Sequence, residues 1–324
     1  MTGNWKKGYV KNILSSVSKM LGNTTESDLG FYNYYIKKKL ESKPENGKLY
    51  KYVQTKEEDK VRSLCEGNIL IKNREELNDP FDGIFLIKKM NEDELLEYEW
   101  NENKSSIILD LRIKTFEDWK KTTKQIPNLL QEVLINHRND IDELNRSRRI
   151  SSCIFGSSSF SEVSPKERYS LLWSHYANSG KGLCFEYDIT SKENSEIFKN
   201  HIHPVHYDEN LLQIPLQNIT KETMYIYMMQ ALCWKLNIWQ YEAEWRYLDF
   251  NSLTFRDTTE KERFLTKFPT NKEKFNIYTE PHIATEHKIK PSKVYYLKQL
   301  FCETNIEMLK KMDIETEEVN LFNL

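Results

Sequence analysis

Apolar residues recur at helical spacing near the start of the chain: Val10, Ile13, Leu14, Val17, Met20 and Leu21, with Lys6, Lys7, Lys11 and Lys19 spread around them. This pattern predicts an amphipathic helix docked on the protein's own core; its basic side would otherwise suit a membrane or a partner. A second helix is predicted from the cap-forming run at 24–28 (TTESD) through Phe31, Tyr35 and Leu40. Residues 41–47 (ESKPENG) have turn chemistry and divide a helical lobe, 1–47, from a main domain, 48–324.

From Lys48 the period changes. Leu49 to Val53 and 68–72 read as strands on either side of a helix at 57–65, followed by an acidic turn at Asn78-Asp79-Pro80-Phe81-Asp82. A charge-rich helical insertion is predicted over 93–149, broken near Pro127. A strand at 149–155, a serine-rich loop at 156–161 and a short helix at 165–176 come next. Gly180-Lys181-Gly182 turns into a strand at 183–188, with another expected at 204–207. A helix over 221–239 carries Tyr225, Met228, Met229 and Leu232 on one face, and 293–297 is a late strand. Strands and helices do not alternate strictly, so the expected class is α+β, with a small mixed or antiparallel sheet, rather than a doubly wound parallel sheet.

Composition narrows the function classes. The 324 residues are 39% hydrophobic and 12% aromatic, enough for a sizeable core. Charged residues make up 30% but sum to −2, so nucleic acid is not indicated by net charge. Cys65, Cys153, Cys184, Cys233 and Cys302 include no C-x-x-C pair, which argues against a structural zinc or a disulfide framework. No stretch approaches the about 18 apolar residues of a membrane span, and no signal peptide is evident. A cytoplasmic protein without membrane contact is expected.

Chemistry concentrates in three clusters. On a strand, Glu242, Glu244 and Arg246 would share one face, with Tyr241, Ala243, Trp245 and Tyr247 buried on the other. Paired carboxylates raise each other's proton affinity and an arginine lowers it again, which poises a carboxylate for reaction. On a helix, Glu242 and Arg246 would form an ordinary surface pair, and an ion-pair ladder is the structural alternative. In Trp173-Ser174-His175-Tyr176, His175 is either an acid–base group or a core histidine bonded to a backbone carbonyl. The 78–82 cluster reads first as a turn, although Asn78 and Asp79 could also orient a ligand hydroxyl or a metal. A metal-dependent nuclease would use Asp79, Asp82, Glu242 and Glu244. His201, His203 and His206 lack metal-ligand spacing because Pro204 interrupts them, and Gly180-Lys181-Gly182 is too short for a phosphate loop.

The blocks Tyr50-Lys51-Tyr52, Asn78 to Asp82, Leu172 to Asn178 and Gly180 to Asp188, with Lys235, Trp239, Tyr241, Glu242, Glu244 and Arg246, resemble the bacterial domain-of-unknown-function family 2971. The resemblance covers about 48–300 in matching order, and implies a defence or toxin-type effector. The long segment before Arg149 and the serine-rich run depart from the family's pattern. The order of blocks is also similar to the layout of mono-ADP-ribosyltransferases. That likeness implies NAD as substrate and no metal, with Lys51 on the first strand, Tyr176 or Ser174 in the middle, Glu244 as catalytic carboxylate and Glu242 at the acceptor. His175 joins the catalytic candidates; Tyr52, Arg246, Asn78 and Asp79 join those for binding the nucleotide. The non-enzymatic alternative is a ligand- or partner-sensing module of a defence system, with a protein partner on the N-terminal helices. The transferase layout requires Lys51, Tyr176 and Glu244 to converge on one cleft, and coordinates that place them far apart would dismiss it.

Overall fold

A computed structural model describes residues 5–12, 26–54, 58–71, 79–88, 90–126, 128, 130–133, 135, 155–167, 171–215, 218–219, 221–254, 276–278, 283–297, 309–312 and 314–320. Several expectations lie outside these residues: the helix beyond residue 12 up to Leu21, the Asn78 position, the break at Pro127, the insertion beyond 135, and the strand start at 149–154.

The strands are, in chain order, β1 (Lys48–Val53), β2 (Asn68–Leu70), β3 (Phe85–Lys88), β4 (Phe155–Ser161), β5 (Leu183–Asp188), β6 (Ile202–Pro204) and β7 (His206–Asp208). They continue with β8 (Leu212–Pro215), β9 (Trp234–Leu236), β10 (Glu244–Thr254), β11 (Asn276–Tyr278), β12 (Ile283–Lys288), β13 (Lys293–Leu297) and β14 (Thr316–Val319). Eight of them form one sheet in the order β11-β10-β4-β1-β5-β13-β14, with β6 also on β10. Most neighbours are antiparallel, while β10–β11 and β13–β14 are parallel, so the sheet is mixed and the fold is α+β.

Its two faces bury different cores. One face collects Leu49, Phe160, Phe185, Tyr187, Trp245 and Tyr247 against helix Lys192–His201. The other carries Tyr50, Tyr52, Cys184 and Tyr295 under the short helix Leu171–Tyr176, whose Leu172 and Trp173 close over them. Residues 5–12 are helical and pack Tyr9 and Val10 against Phe85, Leu212, Met228 and Trp234, together with Ile36 of helix Glu26–Glu41. The insertion has its break at Arg112, in the left-handed conformation (φ 56°) between helices Glu92–Leu111 and Phe116–Gln125. Asn91 caps the first of these through a reciprocal box with Glu94.

Three local expectations are corrected. The serine-rich run is no loop: Ser157 to Ser161 lie in β4, hydrogen-bonded along β10 from Glu244↔Ser161 to Leu248↔Ser157. Pairing on a central strand overrides the weak strand preference of serine. The helix expected over 221–239 ends at Leu232, and Trp234 to Leu236 pair instead with β7. The strand expected from Glu242 begins at Glu244; Glu242 ends a 3₁₀ helix, Asn237–Glu242, and Ala243 turns left-handed (φ 41°) between them.

The turn before β5 is sterically fixed. Gly180 N–H donates to the Trp173 carbonyl and Gly182 N–H to the Ala177 carbonyl, capping helix Leu171–Tyr176. A Cβ on Gly182 would sit 2.2 Å from the Val53 carbonyl oxygen and 2.9 Å from Ala177 backbone atoms. Gly182→Ala is therefore expected to lower the unfolding free energy by about 3 kcal/mol, read by urea denaturation; an unchanged midpoint would show that the turn has room to shift.

Candidate functional site

The site forms where β4 and β1 come together and part. They are paired at Tyr50↔Ser161, the one register pair between them among the described residues. Beyond it a cleft is lined by Tyr50, Lys51, Tyr52, the serines of β4, Asp79, Asp82, Tyr176, Lys235, Glu242 and Glu244. Lys51, Tyr176 and Glu244 thus line a single cleft. They do not reach it alike. Pleating turns Lys51 away from Tyr50 and Tyr52, and its ammonium donates to Ser158 Oγ at 2.8 Å and the Ser159 carbonyl at 3.0 Å, at the opening between the strands.

Behind the cleft lies a buried charge network. Arg246, 1% exposed, donates through Nη1 and Nη2 to the two oxygens of Asp82 at 2.7 and 2.8 Å. Its Nε and Nη2 also donate to Glu244 Oε1 at 2.9 and 2.6 Å, and Nη1 donates to the Leu232 carbonyl at 2.6 Å. Lys235 Nζ lies 2.5 Å from Glu242 Oε2, 3.1 Å from Glu244 Oε2 and 3.7 Å from Asp82 Oδ2. The Tyr176 hydroxyl donates to Glu242 Oε1. The Glu244 N–H donates to the Tyr207 hydroxyl at 2.8 Å, and Ser161 Oγ donates to the Glu242 carbonyl at 2.5 Å.

The left-handed turn at Ala243 makes this convergence possible. On an unbroken strand, Glu242 and Glu244 would point the same way two residues apart; here both carboxylates close on one ammonium. The face that carries the carboxylates is itself buried, with Glu242 4% and Glu244 3% exposed.

Electrostatics then separates the two glutamates. Burial pushes both carboxyls up. For Glu244 the adjacent Arg246 and Lys235 outweigh burial and hold it down at about 2. For Glu242 burial and the neighbouring Glu244 charge prevail over Lys235, and its proton affinity is raised. Burial pulls Lys235 down, but Glu244, Asp82 and Glu242 together hold it above its usual value. Burial and Glu242 raise the Tyr176 phenol, which stays a hydrogen-bond donor. Three carboxyls face two cations in this network, and Glu242 is the member whose environment favours taking a proton.

The remaining candidates are placed as follows. Tyr52 lines the cleft, but its hydroxyl donates to the Val163 carbonyl. Asp79 lines the cleft and accepts the Phe81 N–H. Arg246 sits behind the lining, holding Asp82 and Glu244. Ser174 and His175 are exposed and not among the lining residues; His175 Nδ1 lies 2.8 Å from the Tyr241 hydroxyl, beside Trp239. The central residue that sequence reasoning left without a role is Lys235. Its place in the recurrent block with Glu242 and Glu244 was the available signal. Among the described residues no group of His, Cys, Asp and Glu is arranged to hold a metal ion, and no helix is long and apolar enough to cross a membrane.

Residues 172–247 match the model of a family described as protein of unknown function (DUF2971). This stretch is similar to that family. The DUF2971 segment carries Tyr176, Lys235, Glu242, Glu244 and Arg246, so most of the charge network lies within it, while Lys51, Asp79, Asp82 and the β4 serines come from outside. Neither a curated protein nor a solved structure matches the chain.

The opposite shifts of the two glutamates give opposite stability signatures. Glu244 is depressed from its ordinary 4.5 to about 2, so its stabilisation is complete above pH 4.5 and is lost as pH falls towards 2. Glu242 is raised, so what it contributes is present in acid and fades as pH rises. Urea denaturation between pH 3 and 8 is expected to show Glu244→Gln less stable than Glu242→Gln at pH 7, by at least about 1 kcal/mol, and to show Glu244→Gln with a shallower acid-side slope than the wild type. Equal losses for both variants would contradict the assignment.

Proposed function

We propose that the cleft binds a nucleotide and transfers a glycosyl group from it, as an NAD-dependent ADP-ribosyltransferase. The observation that carries this reading is one cleft lined by Lys51, Tyr176 and two glutamates whose proton affinities are driven apart. Cleaving the bond between ribose and nicotinamide leaves positive charge on the sugar carbon, and the nicotinamide departs neutral with the bonding pair. A fixed anion lowers that barrier. Glu244 serves as that anion, held ionised by Arg246 and Lys235. Glu242 takes the proton released by the attacking acceptor, a role that needs a carboxyl of raised proton affinity. Lys51, at the opening between β1 and β4, contributes positive charge for phosphate.

A second reading is a non-enzymatic sensing module. It draws support from the closure of the network: each oxygen of Glu242 and Glu244 already accepts a hydrogen bond within the fold, as a purely structural centre requires. The metal-dependent nuclease is the weakest reading, because Lys235 Nζ occupies the point on which Asp82, Glu242 and Glu244 converge.

Incubation with labelled NAD and cell lysate is expected to label a protein acceptor. Compared at a temperature where both proteins are folded, Glu242→Gln should lower the rate by about a hundredfold or more, and Lys51→Met should chiefly raise the KM for NAD. Absence of label, with NAD still raising the melting temperature, would favour the sensing module. If NAD neither transfers nor binds, the nucleotide reading falls.

A further inference from the structure

The fold leaves one acceptor in the cleft without a donor. Asp79 is 6% exposed, and its two oxygens differ. Oδ1 accepts the Phe81 N–H at 2.8 Å and closes the turn that delivers Asp82 to Arg246. Oδ2 is buried and has no hydrogen-bond partner among the described residues, although the side chain lines the cleft with Lys51, Glu242 and Glu244. Leaving a buried carboxylate oxygen without a donor costs free energy. Folds keep such costs where a functional partner supplies what is missing.

The chemistry around it defines that partner. Ser157, Ser159 and Ser161 share one face of β4 and line the cleft; the Ser161 hydroxyl is given to the Glu242 carbonyl, and a serine hydroxyl can donate as well as accept. Serine hydroxyls beside a carboxylate oxygen that has no donor suit a hydroxylated ring better than an apolar or purely anionic group. We propose that Asp79 Oδ2 accepts a hydrogen bond from a sugar hydroxyl of the bound ligand, so that the cleft selects ribose over deoxyribose. This inference rests on the nucleotide reading above and adds to it the residue and the ligand group on which recognition turns.

The test is calorimetric titration of ADP-ribose, and of its analogue lacking the corresponding ribose hydroxyl, into wild type and Asp79→Asn, with melting temperatures measured alongside. Asparagine keeps an oxygen for the Phe81 N–H and removes the buried charge. The variant is therefore expected to melt at or above the wild-type temperature. It should bind ADP-ribose about tenfold to a hundredfold more weakly and lose the preference over the deoxy analogue. If the wild type binds ADP-ribose and Asp79→Asn binds it equally well, the inference is overturned and the nucleotide reading stands. If the variant melts markedly lower and loses both ligands alike, Asp79 supports the fold and the inference is again overturned. If wild type binds neither ADP-ribose nor NAD, the nucleotide reading fails and takes the inference with it.

Discussion

The buried guanidinium of Arg246 is the constraint on which the rest of the site depends. It joins three parts of the chain: the turn that carries Asp82, the carbonyl end of helix Lys221–Leu232 at Leu232, and the first residues of β10. Removing a charge from water carries a penalty of several kcal/mol, offset only when its hydrogen bonds are well formed and its charge is matched. Arg246 meets that condition with two carboxylates and a carbonyl. Lys235 then becomes a second cation held inside the protein by the same carboxylates. The arrangement stands as a unit, because withdrawing any one member leaves others buried and unmatched.

Much of the outline was legible in the chain. The strands at Leu49 to Val53, 183–188 and 293–297 announce themselves by β-branched and aromatic residues bounded by turn formers, and the Gly180-Lys181-Gly182 turn by its glycines. The likeness to the family, matched over 172–247, was legible from its blocks, and the structure brings Lys51, Tyr176 and Glu244 to one cleft. The 78–82 cluster was read as either turn or site. At Asp79 and Asp82 it is a turn, closed on the Phe81 N–H, that also brings both side chains to the cleft lining.

What was not legible has physical causes. The serine run of β4 carries no strand propensity of its own and becomes a strand through neighbours on both edges. Trp234, Lys235 and Leu236 continue the apolar rhythm of the preceding helix, so the point where it stops depends on pairing with β7, nearly thirty residues earlier in the chain (His206↔Trp234). The left-handed turn at Ala243 is invisible because alanine rarely adopts it. The pairing of Asp82 with Arg246 spans 164 residues, a distance over which one sequence carries no local signal.

The serine strand has a consequence for how such a protein can diversify. The cleft exists because one central strand is short of side-chain bulk while its neighbours supply tyrosines, phenylalanine and charge. Its depth is therefore encoded at individual positions of β4, separately from the backbone pairing that holds the strand and from the ions behind it. Exchanging Ser157 for a larger or smaller residue would reshape the space offered to a guest, whereas Ser161 is tied to the Glu242 carbonyl. Guest size and electrostatic machinery are thus written in different residues, and chains built on this plan are free to change one while inheriting the other.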